Sequence, residues 1–145
     1  MSDTVKSFIP CSPDYAPTVE QADGIKKGLP VGAELETTDE MQFCDAGQNF
    51  ESVRCRFCYA NLMEWWGHAM DAAYSDGHGF TVLNTITPCC GRAVSLNDLT
   101  YHFPQGFCKT KITIDIDSDK TDEAGILKTL YGVTGLPWRM IVARY

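Results

Sequence analysis

Four of the seven cysteines in this 145-residue chain fall into two tight pairs, Cys55-Arg56-Phe57-Cys58 and Cys89-Cys90. The first is a C-x-x-C knuckle, a spacing that lets two thiolates reach one tetrahedral ion. The second lies within Thr87-Pro88-Cys89-Cys90-Gly91, where the proline and glycine make a tight turn able to aim sulfurs and backbone N–H groups at a metal. Four thiolates match the closed coordination of structural zinc, with no position left for water. Cys55, Cys58, Cys89 and Cys90 are therefore the expected ligands and Zn²⁺ the expected cofactor, embedded as a zinc-ribbon-like site.

The spacing departs from a regular double knuckle. Thr87 stands where the first cysteine of a second C-x-x-C would be, and residues 59–88 are a long interval against the usual run of about 15–20. Adjacent cysteines point apart in an extended chain, so the second turn must bend sharply for both to bind. If it does not, His68, His78 or Cys44 would complete the set. A thioredoxin-like redox pair competes with the metal reading, because that motif also opens a helix after a strand. The second cysteine pair, beyond the expected helix, favours metal. Cys11, Cys44 and Cys108 stand alone, which does not suit a disulfide framework.

Arg54, Arg56 and Arg92 flank the knuckles. Four thiolates around one Zn²⁺ leave a formal excess of two negative charges, which nearby arginines would balance. The sharper use of the same residues is a nucleic-acid contact patch. The chain is acidic, with a net charge of -7, and it lacks Lys/Arg runs and interleaved aromatics. An acidic protein repels phosphate backbones and suits a basic protein partner, so nucleic acid is the weaker expectation.

Catalytic alternatives are thin. Asp115, Asp117 and Asp119 resemble the start of a calcium loop, but Lys120 and Ile126 occupy the positions where Gly and Glu are required. His102 and Cys108 would make a base and a nucleophile across a Pro/Gly turn, with no orienting third residue or oxyanion hole marked. His68 shares a polar helix face with Glu64 and Asp71. Trp66 shares the apolar stripe, so Trp65 and Trp66 are expected in the core and at its rim. Neither a phosphate-binding glycine loop nor a nucleophile elbow is present.

These residues need elements to position them. With 44% apolar residues the chain is expected to fold as one compact domain over 1–145, with possible halves at 1–91, bearing the zinc, and 92–145, a β-β-α-β unit. A strand is expected at 6–10, a turn at Ser12–Pro17, and a helix in which Val19, Ala22, Ile25 and Leu29 recur before Gly28 and Pro30 stop it. Residues 34–44 and 50–55 read as a hairpin around a turn at 45–49. A helix at 60–75 carries Leu62, Trp66, Ala69, Met70 and Ala73 on one face.

A buried strand follows at 80–87, then strands at 93–103 and 107–117, where Ile112, Ile114 and Ile116 alternate with polar residues. Capping residues at 118–122 precede a helix with Ile126, Leu127, Leu130 and Val133, ended by Gly135. A last strand covers 138–145. Recurring strand–helix–strand units predict an α/β or α+β class with a mixed sheet, partly ferredoxin-like. No stretch reaches the roughly 18 apolar residues of a membrane span, and MSDTVKSFIP lacks the apolar core of a signal peptide. A cytosolic location, where thiols stay reduced, is expected.

The chain resembles a group of small bacterial proteins with no established activity. The resemblance rests on F-C-D-A-G-Q-N-F-E at 43–51, C-R-F-C at 55–58 and T-P-C-C-G at 87–91. It continues through S-L-N-D-L at 95–99, P-Q-G-F at 104–107 and the terminal R-M-I-V-A-R-Y. Members typically carry C-P-x-C-G at the first knuckle, where this chain has Arg56 and Tyr59, leaving the ligands intact but altering the turn. The resemblance implies the zinc site and a bacterial cytosol. The function expected is a non-catalytic, zinc-stabilised protein working through protein–protein contacts, in an immunity-type or adaptor role. A nucleic-acid-binding zinc ribbon and an enzyme of unknown class are the alternatives.

Overall fold

A computed structural model describes residues 4–30, 32–114 and 122–145. From the N-terminus the elements are β1 (Thr4–Pro10), α1 (Val19–Gly28), β2 (Ala33–Cys44), β3 (Ser52–Arg54), α2 (Met63–Ala73), β4 (Tyr74–Ser75) and β5 (Gly79–Phe80). They continue with β6 (Asn84–Ile86), β7 (Ala93–Ser95), a 3₁₀ turn (Leu96–Asp98), β8 (Thr100–His102), β9 (Gly106–Ile114), α3 (Glu123–Thr134) and β10 (Trp138–Arg144). The class is α+β, with three α-helices among the described residues.

Helix boundaries follow local chemistry. Thr18 and Gln21 cap α1 reciprocally, each side chain taking the other's backbone N–H. Asp122 caps α3, and Gly135 ends it with φ 72°, a left-handed conformation that costs glycine nothing. The helical stripe of α1 is narrower than its spacing suggests, since Ile25 is buried while Val19 is exposed.

The main sheet has the order β10-β1-β9-β2-β5-β4, and every strand ladder in it is antiparallel. This corrects the expected mixed sheet. The crossover through α1 does not lay β2 beside β1; β9 slots between them, and β1 likewise separates β9 from β10. Each parallel pair is thus split by an antiparallel neighbour. Strands from either side of residue 91 share this sheet. Helices α1 and α3 cover one part of it, where Phe8, Ile25, Ile112, Ile114, Ile126, Leu130 and Trp138 form a continuous core.

Residues 45–105 form a lobe inserted between β2 and β9, with its own core of Val53, Cys55, Leu62, Leu83, Val94 and Leu96 among others. The expected hairpin of 34–44 with 50–55 does not form. β2 pairs with β9, and β3 pairs with β8. The polar turn at 45–49 spends its groups on β10 instead: Gln48 N–H donates to Arg144 O (2.7 Å) and Asn49 Nδ2 to Val142 O (3.0 Å). Two further single strands prove to be broken. In 80–87 only β5 and β6 are extended, with Leu83 buried between them and Val82 and Ile86 exposed. In 93–103 the Ser95 hydroxyl accepts from Asn97 N–H, nucleating the 3₁₀ turn that interrupts the strand.

A buried polar latch ties lobe to sheet. Asn97 Oδ1 accepts from Phe107 N–H (2.8 Å), and its Nδ2 donates to Cys11 O (3.1 Å). Arg139 donates to Asn97 O and Gln105 O. A Cβ at Gly106 would sit 2.8 Å from Asn97 Oδ1 and 2.9 Å from Ile9 Cδ1, so only glycine lets the backbone pass.

Candidate metal centre

Two turns of the same shape face each other in the lobe. In the first, between β3 and α2, Tyr59 N–H donates to Cys55 O (3.0 Å) and Cys55 N–H to Ala60 O (2.9 Å). In the second, between β6 and β7, Gly91 N–H donates to Thr87 O (3.0 Å) and Thr87 N–H to Arg92 O (2.9 Å). Cys55 thus corresponds to Thr87, Phe57 to Cys89, Cys58 to Cys90 and Tyr59 to Gly91. The fifth position is left-handed in both turns, with φ 64° at Tyr59 and 66° at Gly91. Tyr59 therefore keeps the glycine conformation without being glycine, at some backbone strain.

The correspondence explains how adjacent cysteines share one site. Cys89 and Cys90 lie in a hydrogen-bonded turn, not an extended segment, so their side chains do not diverge to opposite sides. Their sulfurs are 3.9 Å apart. Cys55 Sγ lies 3.8 Å from Cys90 Sγ, and Cys58 Sγ lies 3.3 Å from Cys89 Sγ. All four sulfurs fall within 4.8 Å of one another. A tetrahedral ion with metal–sulfur bonds of about 2.3 Å requires sulfur–sulfur edges of about 3.8 Å, so the four residues fit such an ion. His68 and His78 are not part of the cluster, and Cys44 packs with Ile9, Ala46, Cys108 and Ile141.

Thr87 remains near the site although it is not a thiol. Its hydroxyl lies 3.3 Å from Cys90 Sγ and accepts Arg92 N–H at 3.0 Å, which stabilises the turn in place of a metal bond. Phe57 N–H points to Cys55 Sγ at 3.4 Å. Backbone N–H groups of Cys58 and Phe57 draw the Cys55 thiol down to about 6. Cys89 moves the other way, to about 12. Local desolvation and the crowding thiols of Cys58, Cys55 and Cys90 oppose its ionisation, although the residue is exposed. One thiolate is favoured and the next is opposed; a cation held by Cys55, Cys58, Cys89 and Cys90 would remove that conflict by favouring the thiolate form.

Cys55 is fully buried in the lobe core, whereas Cys58, Cys89 and Cys90 lie at the surface. The three arginines gather here with two aromatic rings. Arg56 and Arg92 lie over Phe57 at 5.7 and 5.2 Å, and Arg54 lies over Tyr59 at 5.0 Å while donating to Tyr59 O. Phe57 and Tyr59 are 42% and 63% exposed. This corrects the sequence reading of a knuckle without interleaved aromatics. The signal is present in the alternation Arg54-Cys55-Arg56-Phe57-Cys58-Tyr59.

Other candidates do not assemble. His102 is exposed at the end of β8 and meets Glu51 at 3.1 Å. Cys108 is buried, and loss of water around its sulfur raises the thiol to about 12, the wrong direction for a nucleophile. Trp66 Nε1 donates to Tyr101 Oη, which donates to Leu96 O, so this tryptophan is structural. Asp115, Asp117 and Asp119 lie outside the described residues. Among those described, no helix is long and apolar enough to cross a membrane. Set against family models, curated proteins and solved structures, the chain matches none.

Proposed function

We propose that Cys55, Cys58, Cys89 and Cys90 hold one structural Zn²⁺, and that the chain is a non-catalytic protein acting through contacts with another protein. The observation that carries the metal is the near-tetrahedral set of four sulfurs. Thiolate ligands and tetrahedral spacing favour zinc over hard, oxygen-seeking cations. Four protein ligands fill the coordination, which suits a staple and leaves no position for a reacting water. The ion joins β3, the start of α2 and the β6–β7 turn.

The protein-contact role is supported by the surface around this staple, where exposed aromatics and arginines are the residue types that dominate protein interfaces. An immunity-type or adaptor role in a bacterial cytosol is consistent with seven unpaired cysteines and the acidic charge. The sheet order β10-β1-β9-β2 with two helices also supports reading β1-α1-β2-β9-α3-β10 as a ferredoxin-like platform carrying the zinc lobe as an insertion.

Metal analysis of protein purified under reducing conditions without chelator tests the first part. One zinc per chain is expected, falling to background in Cys55→Ser. Protein that is folded yet metal-free after such a purification would overturn the assignment.

A further inference from the structure

The arginine–aromatic cluster on the knuckles has a definite chemistry. Among the described residues, Arg54, Arg56 and Arg92 form no ion pair with any carboxylate, although acidic residues outnumber basic ones by 19 to 12 in the chain. Three of its five arginines therefore gather around the two turns with no carboxylate paired to them among the described residues. Beside them runs an open groove of about 460 Å³, lined by Arg56, Phe57, Asn84, Ala93, Val94 and Ser95, with Asp98 also on its wall. Asn84 pairs with Ser95 and Ile86 with Ala93 across the β6–β7 ladder, so these four share the outward face, while Thr85 and Val94 alternate inward. Ile86 is 57% exposed and extends the apolar part of this surface.

We infer that this tip and groove bind an acidic segment of a partner protein, with an apolar side chain seated against Ala93 and Ile86 and carboxylates on Arg56 and Arg92. The inference rests on the protein-contact reading above and names its surface and partner chemistry. Three observations choose this occupant over a nucleic acid strand. Base stacking needs a free aromatic face, and guanidinium groups already lie over both Phe57 and Tyr59. Stacked guanidinium groups keep their N–H edges available, and that planar fork matches a carboxylate in two parallel hydrogen bonds. Three cations without an extended basic track are few for a phosphate backbone. Asp98 makes one wall of the groove acidic, so a segment bearing carboxylates at one end only fits in one direction.

Random 12-residue peptides displayed on phage and selected on immobilised, zinc-loaded protein test the idea. Enriched peptides are expected to pair a large apolar residue with nearby Asp or Glu. A fluorescein-labelled winner should bind the Arg56→Ala/Arg92→Ala variant about tenfold more weakly or worse. Because these arginines also balance thiolate charge, Arg56→Lys/Arg92→Lys is compared alongside. It keeps the charge, and should keep one zinc per chain while still losing most of the binding. Zinc measured on every sample separates failure of this surface from failure of the metal assignment. Selection yielding neutral or basic peptides, no enrichment over the alanine variant, or unchanged affinity in the zinc-loaded lysine variant would overturn the inference. So would a labelled dT20 strand that binds more tightly than the peptides and depends on the same arginines, which would assign the surface to nucleic acid.

Discussion

The sheet platform and the inserted lobe solve the problem of holding a chain together in different ways. β2 and β9 run for 12 and 9 residues, and β1 pairs along its whole length with β10. The two platform helices close over an apolar core that includes Phe8, Ile112 and Leu130. In the lobe every strand has two or three residues, and the two small sheets contain two strands each. Such short ladders are marginal alone. The cysteine quartet sits beside two three-residue ladders, linking two turns that no long strand joins. A metal held there, as proposed, would do the work that hydrogen-bonded length does in the platform.

Removing the metal should separate the two regions most clearly. With a zinc chelator under reducing conditions, backbone amides in residues 45–105 are expected to lose exchange protection while β1, β9 and β10 retain it. The loss should be large, since zinc in small structural sites contributes on the order of 10 kcal/mol of apparent binding free energy. Uniform loss across β1 and β10 would mean that the platform depends equally on the ion. Equal protection with and without chelator would mean that the lobe core suffices.

The latch decides whether the two regions melt as one. Asn97→Ala removes two hydrogen bonds of a buried side chain, to Phe107 N–H and Cys11 O. It should cost about 2–4 kcal/mol and reduce the steepness of the denaturant transition as lobe and platform uncouple. An unchanged midpoint would show that the contact between them is carried by packing alone.

Alkaline pH should act on the platform through Cys108. Burial holds its thiol at about 12 against an ordinary 9.0, so the folded state keeps a proton that the unfolded state gives up. Stability from this group is complete below pH 9.0 and declines as pH rises toward 12, by up to about 1.4 kcal/mol per pH unit. Cys108→Ala should flatten that part of a stability–pH profile, whatever it costs at neutral pH.

The smallest effect concerns the two matched turns. Tyr59→Gly relieves a non-glycine residue at φ 64° and should raise stability by about 0.5–1 kcal/mol, read as a higher Tm with zinc bound. Gly91→Ala should lower it by a similar amount. A Tm drop in Tyr59→Gly would show that the packing of Tyr59 under Arg54 outweighs the backbone strain.

Much of this was legible residue by residue. The Cys55–Cys58 knuckle, the Asp122 helix start, the Gly135 stop and the Ile112/Ile114 alternation are local patterns, each set by a chain of a few residues. The two cysteine pairs alone picked out the four residues whose sulfurs the fold brings within 4.8 Å of one another. What lay beyond the sequence were choices between distant partners. Whether 34–44 pairs with 50–55 or with β9 depends on which neighbour buries the apolar face, and the turn at 45–49 satisfies its polar groups on β10, about a hundred residues away in the chain. The placing of β9 between β1 and β2, and with it an antiparallel sheet, is a decision of the same kind. So is the meeting of Arg92 with Phe57 across the cysteine cluster: the sequence supplied both residues, but only the folding of one turn against the other made them a surface.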